Sequence, residues 1–151
     1  MDEKQKIWDN YFLTLCHAVS EKSKDPSTKS GAILVSQDNE ILMTGFNGFP
    51  RGVEDTEERL NDRSLKYPLV VHAEANYIAI AAKRGISTNG LKLYCNWHPC
   101  NECAKLIAQS GIKEVIIDSE YNTSERKERW GDAIVFAEII FKESGVIFRE
   151  I

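Results

Sequence analysis

The segment from Val70 to Asp118 constrains the fold of this chain more than any other. It reads VVHAEANYIAIAAKRG, then LKLYCNW, then PCNECAKLIAQSG, then KEVIID. The two longer runs carry apolar residues at helical spacing and close at Gly85 and Gly111, which are helix stop signals, while the short apolar blocks read as strands. Helices alternating with short apolar strands bury both kinds of surface only as layers, with the helices packed on a sheet.

The flanking segments agree with that frame. From Lys6 to Glu21, residues Ile7, Tyr11, Leu15, Ala18 and Val19 fall at helical spacing, and the run breaks in SKDPSTKSG, where Asp25 and Pro26 mark a loop. GAILVSQ and EILMTGF, joined by Asp38 and Asn39, predict an antiparallel hairpin followed by the loop FNGFPRG. Between Val53 and Pro68 the chain turns polar, which predicts a solvated surface loop or short helix. Residues Glu125 to Glu143 predict one helix carrying Trp130, Ile134, Ala137 and Phe141, and VIFREI closes the chain as a strand. A helix between the last two strands favours parallel pairing with a right-handed crossover. With no repeat and no linker, 151 residues suit one domain over 1–151, an α/β sandwich with helices covering a mixed sheet.

Charge narrows the partners. Nineteen basic against 23 acidic residues give a net charge of −4, so no broad positive field exists to draw in polymeric nucleic acid, and an anionic ligand must be met by a local pocket. No run approaches the roughly 18 to 20 apolar residues that span a bilayer, and MDEKQKIWDN lacks the basic and apolar regions of a signal peptide. The expectation is a soluble, cytoplasmic protein with no membrane partner. In a reducing compartment, a close pair among Cys16, Cys95, Cys100 and Cys103 points to metal or redox chemistry before a disulfide framework.

His72-Ala73-Glu74 heads one helix and Pro99-Cys100-Asn101-Glu102-Cys103 heads the next. Cys100 and Cys103 are three apart, so their thiols share one face of a helical turn, where the N-terminal dipole favours thiolate. With His72 they make three ligands for a tetrahedral Zn²⁺, leaving the fourth position open to water, the mark of a catalytic site. Zinc brings the pKa of bound water from 15.7 toward about 7, and Glu74 is placed to take that proton. A lone CxxC is equally a redox pair or half of a zinc ribbon, and a lone histidine is more often structural. The combination of HxE with PCxxC is the specific signal, the signature of zinc nucleobase deaminases.

On these motifs, and on the segments SKDPSTKSGAILV, TGFNGFPRGVED, KYPLVVHAEANYI and PCNECAKLIAQSGIKEVI, the chain resembles the deoxycytidylate (dCMP) deaminase family of the cytidine deaminase-like superfamily. The resemblance implies a three-layer α-β-α sandwich around a five-stranded mixed sheet. It further implies hydrolytic deamination of dCMP to dUMP and ammonia, supplying dUMP for thymidylate synthesis. His72, Cys100 and Cys103 become the ligands of one zinc per chain, and Glu74 becomes the general acid and base. Asn47 and Ala73 would contact substrate, Asn47 through the deoxyribose. Ser23, Lys24 and Tyr121 are the favoured candidates for the phosphate, with Lys29 and Arg51 also available, and Trp97 and His98 could wall the base pocket. Gly45, Phe46, Gly48 and Arg51 are assigned to a nucleotide effector, dCTP activating and dTTP inhibiting, with Mg²⁺ on the triphosphate. A homohexamer is the implied assembly.

Two departures and several alternatives stand beside this. Phe46 replaces the family's usual tyrosine, so a contact through the phenol oxygen is lost. No insertion with additional Cys and His precedes His72, so Cys16, His17 and Cys95 read as structural. Asn47 also fits an Asn-Gly turn, Trp97 equally belongs to the core, and exposed lysines are usually only solvated. The same zinc chemistry also serves cytidine, dCTP or, against the net charge, adenosine in tRNA. A structural zinc in an interaction module and a redox CxxC are the readings from other classes.

Overall fold

Residues 2–151 are described by a computed structural model. Helix α1 (Glu3–Ser20) starts at Asp2, whose carboxylate accepts from the Lys4 amide. Strands β1 (Gly31–Val35) and β2 (Ile41–Phe46) pair antiparallel around a turn at Asn39, which takes φ 66. Two short helices follow, α2 (Glu57–Asn61) and α3 (Arg63–Leu69), then α4 (Ala73–Arg84), β3 (Lys92–Cys95), α5 (Asn101–Gln109), β4 (Glu114–Ile117), α6 (Ser124–Arg129), α7 (Gly131–Ser144) and β5 (Ile147–Glu150).

The sheet runs β2-β1-β3-β4-β5, with β1 antiparallel to both neighbours and β3, β4 and β5 parallel. The expected parallel pairing of the last two strands is present. Alternation along the strands sorts the core into two sets. Ile33, Val35, Tyr94 and Ile116 face α1, which contributes Phe12, Leu13 and Cys16. Ala32, Leu34, Leu93, Cys95, Val115 and Ile117 face the opposite way, against Tyr77 of α4, Ile107 of α5 and Phe141 of α7. Both faces are covered, which is why these strands read as unbroken apolar runs, and the result is the expected three layers. At Gly31 a Cβ would lie 2.1 Å from the Cys16 carbonyl oxygen, so only glycine lets α1 close on the strand here.

The polar stretch 53–68, expected as a solvated loop or short helix, holds two short helices, capped by Thr56 and Asp62, each accepting from a backbone amide of its own first turn. One expectation needs correction. The helix expected over 125–143 is broken at Trp130, whose φ −109 and ψ 18 leave helical space and split it into α6 and α7. Among the described residues no helix is long and apolar enough to cross a membrane.

This topology brings the C-terminal ends of β2, β3 and β4 and the N-terminal end of β1 to one edge of the sheet. Beyond carboxyl ends of parallel strands is where open α/β sheets place their ligands.

Candidate active site

Two helix N-termini meet at that edge. His72 is the N-cap of α4 and Cys100 the N-cap of α5, and neither side chain is spent on capping. Both remain free to turn toward a common point, and Cys103 joins them one helical turn along α5. Cys100 Sγ and Cys103 Sγ lie 3.4 and 3.5 Å from His72 Nδ1, and the three donor atoms fall within 4.8 Å of one another, the group of this kind found among the described residues. Zinc bonds of about 2.3 Å to sulfur and about 2.05 Å to nitrogen at the tetrahedral angle put S and N about 3.5 Å apart. The donor set and its spacing therefore fit Zn²⁺ with one position open.

Electrostatics at the cluster centre on one thiolate. The Cys100 thiol is pulled well below its ordinary value, chiefly by the hydrogen bond from the Cys103 thiol, with His72 adding to it. His72 is raised to about 9, first by its contact with Cys100 and despite its burial. Glu74, buried in the first turn of α4, is held above the usual carboxylate range by desolvation, which His72 only partly offsets. A carboxyl raised in this way is suited to carrying a proton in both directions.

Strand β2 sets the position of α4. Asn76 Nδ2 donates to the Phe46 carbonyl at 3.0 Å, and Gly48 and Val71 exchange backbone hydrogen bonds at 3.1 and 2.8 Å. A Cβ at Gly45 would meet the Ala73 carbonyl oxygen at 3.0 Å and Tyr77 Cβ at 3.3 Å, so glycine permits the close approach. Three asparagines fix the loops. Asn47 accepts from Ser30 N at 2.8 Å and donates to Thr28 O at 2.9 Å. Asn96 accepts from Gly31 N at 2.9 Å. Asn122 accepts from His98 N and donates to Asn96 O, each at 2.8 Å.

Above the cluster opens a cavity of about 580 Å³. His72, Glu74 and Cys100 line it together with Asn47, Trp97 and His98, and five cations, Arg63, Lys66, Arg126, Lys127 and Arg129, line it as well. Lys66 pairs with the buried Asp25 at 3.1 Å and Lys127 with Glu150 at 2.6 Å. With Lys66 and Lys127 paired, Arg63, Arg126 and Arg129 leave positive charge at one opening in a chain of net charge −4, a local anion site of the kind the charge argument required.

Not every candidate from the sequence gathers here. His72, Glu74, Cys100, Asn47, Trp97 and His98 line the cavity, and Cys103 sits behind them. Ser23 is buried with its hydroxyl accepting from Asp25 N, and lies outside the lining. Lys24 pairs with Asp55 and, with Phe46 and Gly48, lines a second cavity of about 160 Å³. Asp25, Asn47 and Val70 form part of both walls. Tyr121 stands behind Trp97, with ring centres 5.2 Å apart. Ala73 and Gly45 lie beneath the site, Lys29 pairs with Glu21, and Arg51 is exposed away from both cavities.

Sequence reasoning missed the rim. Arg63 and Lys66 fall in the stretch read as a solvated loop or short helix, and Arg126 and Arg129 on what read as one continuous helix. Asn96 and Asn122 carried a faint signal, a polar side chain directly after or near the end of an apolar strand, but nothing local said which backbone groups they would hold.

The chain matches the model of the cytidine and deoxycytidylate deaminase zinc-binding region over residues 6–119. It is 41% identical over 151 residues to deoxycytidylate deaminase of Mus musculus, covering 95% of this chain and 79% of that protein. Against deoxycytidylate deaminase of Homo sapiens it is 39% identical over 150 residues, with the same shares covered. The crystal structure of dCMP deaminase from the cyanophage S-TIM5 in complex with dCMP and dUMP superimposes with a TM-score of 0.75 at 28% identity, covering 100% of this chain and 99% of that one. With motif, geometry and relatives in agreement, this chain belongs to the zinc-binding cytidine and deoxycytidylate deaminase family, on its deoxycytidylate deaminase branch.

Proposed function

We propose that the chain is a zinc-dependent dCMP deaminase that converts dCMP and water to dUMP and ammonia. The observation that carries this reading is the His72-Cys100-Cys103 donor set beside the buried Glu74, at a cavity lined by five cations. A cytosine base needs the first and a phosphate needs the second. The names of the relatives and the dCMP and dUMP bound in the cyanophage structure support the same substrate.

His72, Cys100 and Cys103 would hold the zinc. Bound there, zinc supplies a Lewis acid that makes water a nucleophile near neutral pH. Glu74 takes one proton from the attacking water and delivers it to N3 of the cytosine ring. It then takes the second from the oxygen now bonded to C4 and delivers it to the amino group, which departs as ammonia and leaves the C4 carbonyl of uracil. Asn47 faces the deoxyribose, and Trp97 with His98 bounds the base, excluding bulk water from the proton path.

The second cavity, with Lys22 and Lys24 beside Phe46 and Gly48, is the place in the chain where part of a nucleotide effector would lodge. On that reading Mg-dCTP raises activity and dTTP lowers it, in a cytoplasmic homohexamer whose subunits are each one catalytic domain. The test is to mix zinc-loaded protein with dCMP, with and without Mg-dCTP, and follow loss of cytosine absorbance as uracil forms. Turnover that rises with dCTP is the expected result; no turnover in either condition overturns the assignment.

A further inference from the structure

Arg126 of α6 is held on two aromatic rings. Its guanidinium carbon lies 4.2 Å from the centre of the Tyr121 ring and 4.6 Å from that of Trp97. One N–H donates to the Tyr121 carbonyl oxygen at 3.2 Å. The platform is itself braced. Tyr121 meets the His17 ring edge-on at 4.9 Å, His17 Nε2 pairs with Asp118 at 2.7 Å, and the Tyr121 amide donates to the same aspartate at 3.2 Å.

A guanidinium carries five N–H donors, so four remain. Lys66 and Lys127 are neutralised by Asp25 and Glu150, whereas Arg126 has its one hydrogen bond to a neutral carbonyl and no carboxylate partner among the described residues. Arg63 and Arg129 are also unpaired but exposed and without a ring beneath them, while Arg126 is half-buried. An arginine stacked in advance loses little further freedom when it binds, and its fork matches two oxygens of a phosphate. In a cavity whose floor acts on a nucleobase, the anion within reach is the nucleotide phosphate.

We propose that Arg126, positioned by Trp97 and Tyr121, is the residue that selects a nucleoside monophosphate over the uncharged nucleoside. This rests on the dCMP deaminase reading. A charge-assisted pair of hydrogen bonds lost from the substrate complex corresponds to about 10- to 100-fold.

The test compares wild type, Arg126→Gln and Arg126→Lys on dCMP and on deoxycytidine. Arg126→Gln should lower kcat/KM for dCMP by about 10- to 100-fold, mainly through KM, and leave that for deoxycytidine unchanged. Arg126→Lys should recover part of the loss, because it restores charge without the planar fork. Inorganic phosphate should compete with dCMP in wild type and much more weakly in Arg126→Gln. Equal losses on both substrates would assign Arg126 a purely structural role and overturn the proposal, as would an unchanged preference for dCMP. If wild-type protein deaminates neither compound, it is the deaminase reading that fails. Binding of dCMP against deoxycytidine, followed by tryptophan fluorescence, then decides on Arg126 separately. Folding of each variant is checked by its melting temperature.

Discussion

Two polar clusters lie on opposite faces of the same sheet, and they are finished differently. Behind the sheet, the fully buried Asp9 accepts from Tyr94 Oη at 2.6 Å, Gln5 Nε2 at 2.8 Å and Arg149 Nη1 at 2.6 Å, and Arg149 also reaches Glu114. That network ties α1 to β3, β4 and β5 and satisfies its charges within the chain. In front, His72, Cys100 and Cys103 converge on one point beside Glu74, and no lysine or arginine among the described residues pairs with them. Burying ionisable groups without complete pairing costs stability, so a chain carrying both kinds of cluster separates the groups that hold the fold from those left over for chemistry.

The sharpest way to break this comparison is to remove the metal. Chelation should abolish dCMP turnover and lower the melting temperature, and zinc should restore both, since binding energy at such a site is also folding energy. A chelated protein that keeps full activity would place the chemistry elsewhere. Next in size, Glu74→Gln should retain one zinc per chain by elemental analysis while kcat falls by about 10²- to 10⁴-fold.

Cutting the rear cluster should do the reverse. Arg149→Met leaves Asp9 buried without its cation and should cost about 3 kcal/mol, read from the urea midpoint, with kcat/KM for dCMP unchanged. Acid should find the same weakness. Burial alone would raise the Asp9 carboxyl, but hydrogen bonds from Arg149, Tyr94 and Gln5 outweigh it and hold the pKa below 3.8. The native state therefore gains stability from ionised Asp9 above about pH 4 and loses it as pH falls through the lowered value. Wild type should lose more stability than Asp9→Asn between pH 5 and about pH 3 in urea titrations. The smallest effect is expected at Gly45→Ala, where the added methyl presses on the Ala73 carbonyl and should cost about 1 kcal/mol. Because Ala73 stands between His72 and Glu74, kcat should fall with it; a stability loss without a rate change would detach β2 from the positioning of α4.

Much of the front cluster was legible in sequence because its information is local. His72 and Glu74, or Cys100 and Cys103, are separated by less than one helical turn, so spacing alone sets their common face. The alternation from Val70 to Asp118 likewise dictated layers, because strands that are apolar on both faces admit no other burial. The break at Trp130 was not legible, since Ile134, Ala137 and Phe141 continue a helical pattern through it. Nor did the polar stretch 57–69 reveal that Lys66 would be buried against Asp25, 41 residues earlier in the chain.

By itself, then, the sequence determined the chemistry at the centre: which atoms can bind a metal, which carboxyl stands beside it, and what kind of sheet carries them. Only the tertiary structure decided what surrounds that centre. It put Lys24 at a second cavity, left Ser23 buried in its own turn, and set Arg126 on Trp97 and Tyr121. The physical reason is range. The pairs His72–Glu74 and Cys100–Cys103 are each specified by neighbours within a turn of helix, whereas the meeting of the two pairs, and the partner, cavity or plain solvent that a charged surface side chain acquires, come only when segments distant in the chain are brought together.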